Sequence, residues 1–469
     1  MRMTPLMSKH LHIVVIALVL LLLNSSNDGQ GRRELVDERN VMAQMNFLAG
    51  DAMQGRGSGT IFERIAAEYV GSQFMQFGLE PAGDTGPDGR STYVQSVSIQ
   101  RGTFSGKPSI KYGDTTLEHG REMVVLHTTA GEVSGPLQKI ETGKRAQAGS
   151  AVLLTLSPGG DPKLLQEAVP SLLADGAAIV LVEETPELRQ HWDLLGGRDV
   201  TFAGSGKPSV IAGVSKEAAA ALSRIDDGTR ISFGGGQTVT TTLQTWNAVG
   251  KITGSDREFS SQVILLTSHL DHLGVRANGP GPDNIFNGAD DDASGTVAVL
   301  ELARVLAQGK KPRRTVYFVC FGSEESGGRG ATHFVNNLPF PQDKLIANLE
   351  FEMIGRPDIK VKPGELWLTG YDLSDLGPEL ARRGAKLVAD PHPSENFFQR
   401  SDNYTLAKKG VIAHTVSSYG LHSDYHQVTD DPETIDFAHM TRSITSMVAP
   451  VRWLVNSTFA PAWHPGKKP

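Results

Sequence analysis

In the second half of the chain, short apolar runs of strand length alternate with longer stretches whose apolar positions recur at helical spacing. Runs at Ala248–Ile252, Val263–Ser268, Thr315–Phe321, Leu345–Phe351, Leu366–Thr369 and Val411–Val416 predict strands. Ser294–Gln308, Leu376–Val388, Asp402–Lys408 and Pro432–Val455 predict helices. That alternation predicts an α/β fold, a mixed, mostly parallel sheet flanked by helices. Upstream, Glu34–Leu79 reads mainly as helix, with Met42, Met45, Phe47 and Leu48 on one stripe and Ile65, Tyr69, Phe74 and Phe77 on another. The glycines between them, Gly55, Gly57 and Gly59, have neither a preceding strand nor a following Lys-Ser/Thr pair. They predict a flexible helix connector rather than a phosphate-binding loop.

Between residues 101 and 236 the texture changes to short apolar runs broken by Gly, Pro and Ser: Met123–Leu126, Ala151–Leu156, Ala177–Val182 and Ser209–Ala212. Candidate helices there are Pro162–Leu173 and Lys216–Leu222. This predicts an inserted, smaller β-rich α/β domain, in which His127 and His191 stand isolated and read as solvated or core residues. At the amino terminus, Arg2 and Lys9 precede the unbroken apolar run Ile13–Leu23, and Asn24–Asn27 follow it. The run has about half of the ~20 residues that cross a bilayer, so it predicts a signal peptide and a secreted or periplasmic protein, with an uncleaved anchor as the alternative. The expected organisation is a signal peptide at 1–26, the amino-terminal part of the main domain at 34–100, the insertion at 101–236 and the rest of the main domain at 247–458.

Composition narrows the chemistry. The 469 residues include 45 basic and 52 acidic side chains, a net charge of −7, with 39% hydrophobic residues. This is the make-up of a soluble globular protein, and without a Lys/Arg run it argues against a nucleic-acid partner. Stable membrane insertion is not expected unless the signal segment stays uncleaved. The one cysteine, Cys320, lies inside an apolar run, so an intramolecular disulfide is impossible and any metal falls to His and carboxylates.

Candidate ligands occur where strands end. The strand Val263–Ser268 runs into His269-Leu270-Asp271-His272, which puts a histidine at a strand's carboxyl end with an aspartate near enough to orient it; His272 is the competing ligand. Asp290, Asp291 and Asp292 precede a helix. One aspartate there is a helix cap, but three in a row repel one another and suit a cation, and a carboxylate can bridge two metals. Glu324 and Glu325 follow the next strand, a pairing that suits one metal ligand and one general base. Glu352 sits in apolar sequence, where an ionised carboxylate is costly unless paired or metal-bound. His426 is a last candidate, with Asp430 or Asp431 available to orient it. Histidines and carboxylates of this kind fit zinc or a related divalent ion.

At these five segments the chain closely resembles the di-zinc aminopeptidase family that includes aminopeptidase S and aminopeptidase Y, with glutamate carboxypeptidase II as a relative; the resemblance spans roughly residues 247–436. It implies a zinc-peptidase, phosphorylase/hydrolase-like fold and two Zn2+ ions, one held by His269 and Glu352, the other by Glu325 and His426, with Asp291 bridging them. It makes Glu324 the general base, Tyr425 an oxyanion stabiliser and Asp271 the orienter of His269. The family often has Asp where Glu352 stands, so a longer side chain must reach the same ion; Glu350 is the weaker substitute because the M-I-G context aligns Glu352. Residues 101–236 resemble the protease-associated domain found beside this catalytic domain. The resemblance implies an exported aminopeptidase acting on peptides. Carboxypeptidase or dipeptidase action on the same core, glutaminyl cyclase activity and a non-catalytic scaffold are the competing readings. Retention of both Glu324 and Glu325 argues against the scaffold.

Overall fold

A computed structural model describes residues 36–155, 163–183, 208–276 and 282–469. The apolar run at 13–23, His191 and the first residue of the expected helix Pro162–Leu173 lie outside the described residues. The chain divides into two compact units, one formed by residues up to Val97 and from Gln244 onward, the other by Ser98–Leu243.

Among the described residues, the first unit is built on a nine-stranded sheet. Its strands are β1 (Glu80–Pro81), β2 (Val94–Phe104), β3 (Thr238–Ile252), β4 (Val263–His269), β5 (Thr315–Phe321), β6 (Leu345–Phe351), β7 (Leu366–Leu368), β8 (Leu387–Ala389) and β9 (Ala413–Ser417). They lie in the order β1-β3-β5-β4-β6-β9-β7-β8, with β2 also on β3. The central strands β5, β4, β6 and β9 run parallel, and antiparallel pairing at β3 and β7 makes the sheet mixed. Every residue of β4, β5 and β9 is buried, as befits strands covered on both faces.

The helices of this unit are α1 (Glu38–Leu48), α2 (Ile61–Phe77), α3 (Gly295–Gln308), α4 (Arg329–Asn336), α5 (Leu376–Arg382), α6 (Asn403–Ala407) and α7 (Phe437–Asn456). Helix α3 is buried along its length from Gly295 to Leu306, and its one acidic residue, Glu301, is held by Arg304 and by Gln44 of α1. Phe74 of α2 meets Phe318 of β5 at 6.2 Å between ring centroids, both fully buried. Truncating Phe318 to alanine would cost about 3–5 kcal/mol. Gly250 on β3 makes room for this contact, since a Cβ there would lie 2.8 Å from the Phe74 ring.

Two expected helices are shorter than their apolar spacing suggested. The stretch 376–388 leaves helix at Arg382 and turns through Gly384, whose φ of +99° is strained for any other residue; Leu387 then begins β8. At 432–455 the Pro432–Thr434 turn is separate, and α7 starts only after Asp436, whose carboxylate caps the His439 N–H.

The second unit has its own core and, among the described residues, an eight-stranded sheet. Four of its strands, Val133–Glu141, Ala151–Thr155, Ile179–Glu183 and Val210–Val214, are parallel and continue into antiparallel neighbours at either side. His127 is half-buried on its strand Met123–Thr128.

Candidate metal centre

The carboxyl ends of the four parallel strands converge. His269 is the last residue of β4, Glu324 and Glu325 follow β5, Glu352 follows β6, and the segment after β9 carries Tyr425 and His426. Open α/β sheets place ligands at such strand ends. Asp291 enters from the irregular Ala289–Ser294 turn that leads into α3.

Asp291 lies between two groups of side chains. Its Oδ1 is 3.1 Å from His269 Nε2, and its Oδ2 is 3.1 Å from His426 Nε2. Glu325 Oε1 is 3.1 Å from the same His426 nitrogen and 3.0 Å from His272 Nδ1. The donor atoms of His269, Asp291 and Glu352 lie within 4.8 Å of one another, as do those of His272, Asp291 and Glu325. This imidazole and carboxylate set, buried but for half-buried Glu352, fits divalent cations, whose charge would relieve the repulsion among its acids.

The structure therefore brings both histidines, His272 and His426, to the Glu325 side. Their rings meet edge to face at 5.8 Å. Glu350 takes a different task. Its Oε2 accepts hydrogen bonds from the Asn403 N–H at 2.7 Å and Thr415 Oγ1 at 3.0 Å, tying α6 to β9 beneath the site.

The three aspartates divide their work. Asp290 accepts from the Gly355 N–H and pairs with His422 at 2.9 Å, Asp291 faces the site, and Asp292 caps α3 through the Gly295 N–H while also accepting from the Met353 N–H. Asp430 and Asp431 are engaged by other groups. Asp430 accepts from the backbone N–H groups of Asp290 and Asp291 and pairs with Arg356, and Asp431 accepts from Asn287. Asp271 faces His269 with both its backbone and its side chain: its carbonyl lies 3.2 Å and its carboxylate 3.8 Å from His269 Nδ1, and the carboxylate also accepts from the Glu324 N–H at 2.9 Å and from Ser58 Oγ at 2.6 Å.

Electrostatics follow from this crowding. Burial opposes charge on His269, but Asp291, Asp292 and Glu324 outweigh it and raise its pKa well above the usual value. Burial likewise opposes charge on His426, and Glu325 and Asp291 prevail, lifting it to about 10. Burial raises the Glu324 carboxyl well above the carboxylate range, with Glu325 adding to it against His269. Burial and neighbouring Glu350 raise Glu352 to about 8. Burial works against ionisation of Glu325 too, but His426 and His272 hold its pKa well below the ordinary value.

The Gly55–Gly59 stretch is not a flexible connector. Arg56 is fully buried, and its guanidinium donates to four carbonyls: Leu270 at 2.9 Å, Leu48 at 2.7 Å, Asn287 at 2.6 Å and Gly288 at 2.9 Å. It thereby clamps the loops carrying His269 and Asp291. Gly55 must be glycine, because a Cβ there would sit 2.4 Å from the Phe286 carbonyl oxygen. Glu63 of α2 accepts from the Ser323 N–H at 2.8 Å, fixing the turn before Glu324. Ser323, Met353 and His426 have left-handed φ values of 53°, 51° and 57°. Such conformations cost about 1–3 kcal/mol each and persist where surrounding contacts enforce them. Tyr425 stacks on His426 with ring centroids 3.9 Å apart.

Fold and site together define an α/β scaffold with two overlapping His/carboxylate groups that could each hold a metal ion. Residues 247–450 match the model of Peptidase family M28. An aminopeptidase of Pseudomonas aeruginosa is 36% identical over 116 residues, 24% of this chain and 19% of that protein. Leupeptin-inactivating enzyme 1 of Streptomyces exfoliatus is 34% identical over 129 residues, 25% of this chain and 26% of that protein. The chain thus spans a quarter or so of these relatives' length. Two solved structures share the fold across nearly the whole chain. The aminopeptidase from Aneurinibacillus sp. strain AM-1 has a TM-score of 0.65 at 18% identity, covering 91% of this chain and 96% of that one. A zinc aminopeptidase from Bacillus subtilis has a TM-score of 0.60 at 18% identity, covering 90% and 97%. No helix among the described residues is long and apolar enough to cross a membrane.

Proposed function

We propose that this chain is an exported metallo-aminopeptidase that hydrolyses peptide bonds with two divalent metal ions, zinc foremost. The observation that carries the reading is Asp291, whose two oxygens face His269 on one side and His426 with Glu325 on the other. Of the two ions, His269, Asp291 and Glu352 would hold one, and Asp291, Glu325 and His426 the other, with His272 as an alternative ligand. Bound there, such ions polarise the scissile carbonyl and acidify the attacking water.

The chain's own residues do the rest. Glu324 takes the proton of the attacking water on its carboxylate and hands it to the leaving amine. Asp271 fixes the Glu324 backbone, and Tyr425 donates a hydrogen bond to the developing oxyanion. Preference for amino termini is supported by the names of the similar proteins, and export by the amino-terminal sequence. We read the inserted unit as a protease-associated-like domain influencing substrate access.

The test is release of p-nitroaniline from aminoacyl p-nitroanilides, before and after chelation, with Glu324→Gln alongside. Zinc-restorable release that Glu324→Gln abolishes while keeping its metal supports the mechanism. Cleavage confined to amino-blocked peptides would transfer the reading to carboxypeptidase or endopeptidase action.

A further inference from the structure

Beside Glu352 lies a small pocket walled by Met353, Trp367, Phe397, Arg400 and Tyr419. Because Glu352 closes one ligand group with His269 and Asp291, we read a side chain entering this pocket as that of the residue whose carbonyl is attacked. For an aminopeptidase that residue is the amino-terminal one. We propose that this pocket selects an acidic amino-terminal residue, Asp or Glu, through the Arg400 guanidinium and the Trp367 indole N–H; the proposal rests on the aminopeptidase reading above.

Aromatic walls alone would favour leucine or phenylalanine, but the donors in this pocket change that preference. Trp367 is 2% exposed and stacks on Phe397 at 5.3 Å, yet its Nε1–H has no acceptor among the described residues. A buried indole N–H ordinarily finds a partner, and an apolar guest would leave this one unsatisfied. Arg400 lies over the Phe397 ring at 4.9 Å. Among the described residues its ion pair with Glu395 is long at 3.8 Å and partly exposed, and Tyr425 and Glu352 are its neighbours on the pocket side, which leaves part of the guanidinium fork able to receive a second carboxylate. The opposing charges are otherwise engaged. Glu352 is turned to the metal centre, and Glu350 is held by Asn403 and Thr415. Sites built to hydrogen-bond a guest discriminate strongly against analogues that lack the matching group.

The experiment measures kcat/KM of the full chain with zinc on Glu-, Asp-, Gln-, Leu- and Phe-p-nitroanilides, for the parent, Arg400→Gln and Trp367→Phe. The parent is expected to favour Glu or Asp over Leu by roughly tenfold or more, and each variant to lower that ratio about tenfold. Preference for Leu, Phe or Gln over Glu in the parent overturns the proposal, as does a ratio unchanged in Arg400→Gln. Absence of release from every free-amino substrate instead sinks the aminopeptidase reading itself. An activity-independent readout is the indole 1H–15N signal of Trp367, assigned by its loss in Trp367→Phe. It should shift with L-glutamate and not with L-leucine; the reverse pattern overturns the proposal.

Discussion

Arg56→Leu removes the clamp on the ligand loops without opening a large void. Four carbonyls, those of Leu48, Leu270, Asn287 and Gly288, lose their donor together. Hydrogen bonds to a charged donor contribute about 1.5–3 kcal/mol each, which would sum to far more than is expected here. The sum must be discounted because a buried guanidinium itself costs several kcal/mol to desolvate, a cost that Asp271, Asp430, Asp291 and Asp292 offset in part. Breaking a buried charged partnership nets about 3–5 kcal/mol, and at about 2 °C per kcal/mol the unfolding midpoint should fall by roughly 6–10 °C. Leu270 directly follows His269, and Gly288 lies three residues before Asp291, so the loss should reach the metal. Residues supporting ligands typically change metal affinity about 10–100-fold. Circular dichroism melts and zinc content after dialysis read both effects. Arg56→Lys, which keeps the charge but not the fork, should fall between. A midpoint within about 2 °C of the parent, with zinc retained, would refute the clamp.

Three further outcomes follow from the geometry. His426→Ala should retain one metal equivalent and lose activity while His272→Ala retains both, measured by metal analysis; the opposite pattern would give the ligand role to His272. His414 is buried between Ser374 Oγ and the Thr369 carbonyl, each at 2.7 Å, and burial depresses its pKa to about 4. The folded protein then binds fewer protons than the unfolded chain, so the contribution of this group is intact above pH ~6.5 and is lost as pH falls to about 4, on the order of 3 kcal/mol in all. Denaturant titrations across that range should show a slope that His414→Asn flattens, and an equal slope in the variant would exclude the group. Gly250→Val should destabilise by about 1–3 kcal/mol through overlap with Phe74, whereas an unchanged melt would mean that the ring can move aside.

What could be read from the chain depended on whether the signal was local. The strand Thr315–Phe321 was legible residue for residue because a nearly continuous apolar run between polar breaks is what a strand buried on both faces requires, and Leu345–Phe351 was found with the same bounds although Asn348 and Glu350 interrupt it. The positions of His269, Glu324, Glu325 and Glu352 followed, since each is at or just beyond a strand end and the parallel sheet brings those ends together. Sequence spacing could not separate the three aspartates. Asp290, Asp291 and Asp292 are adjacent and chemically equal, and only the turn geometry sends one to Gly355, one to the site and one to the helix cap.

Support of the site was hidden for a related reason: its partners are distant in sequence and common in type. Arg56 lies more than two hundred residues before the loops it grips, and its glycine-rich surroundings mimic a linker; the glycines instead permit close backbone approach to Phe286 and Gly274. Glu63 looks like one more acid on a surface helix until Thr245 and Ser323 are found bonded to it. Asp271 was recognisable as a supporting acid, but beyond facing the histidine it braces the backbone of the proposed base. Coupling the Glu324 backbone to the His269 loop means that loss of Asp271 should disturb base and ligand together. Asp271→Asn retains an acceptor for the Glu324 N–H, so it should lose less than Asp271→Ala in both kcat and zinc retention. Equal losses in the two variants would show that the negative charge, rather than the hydrogen bond, is what the site uses.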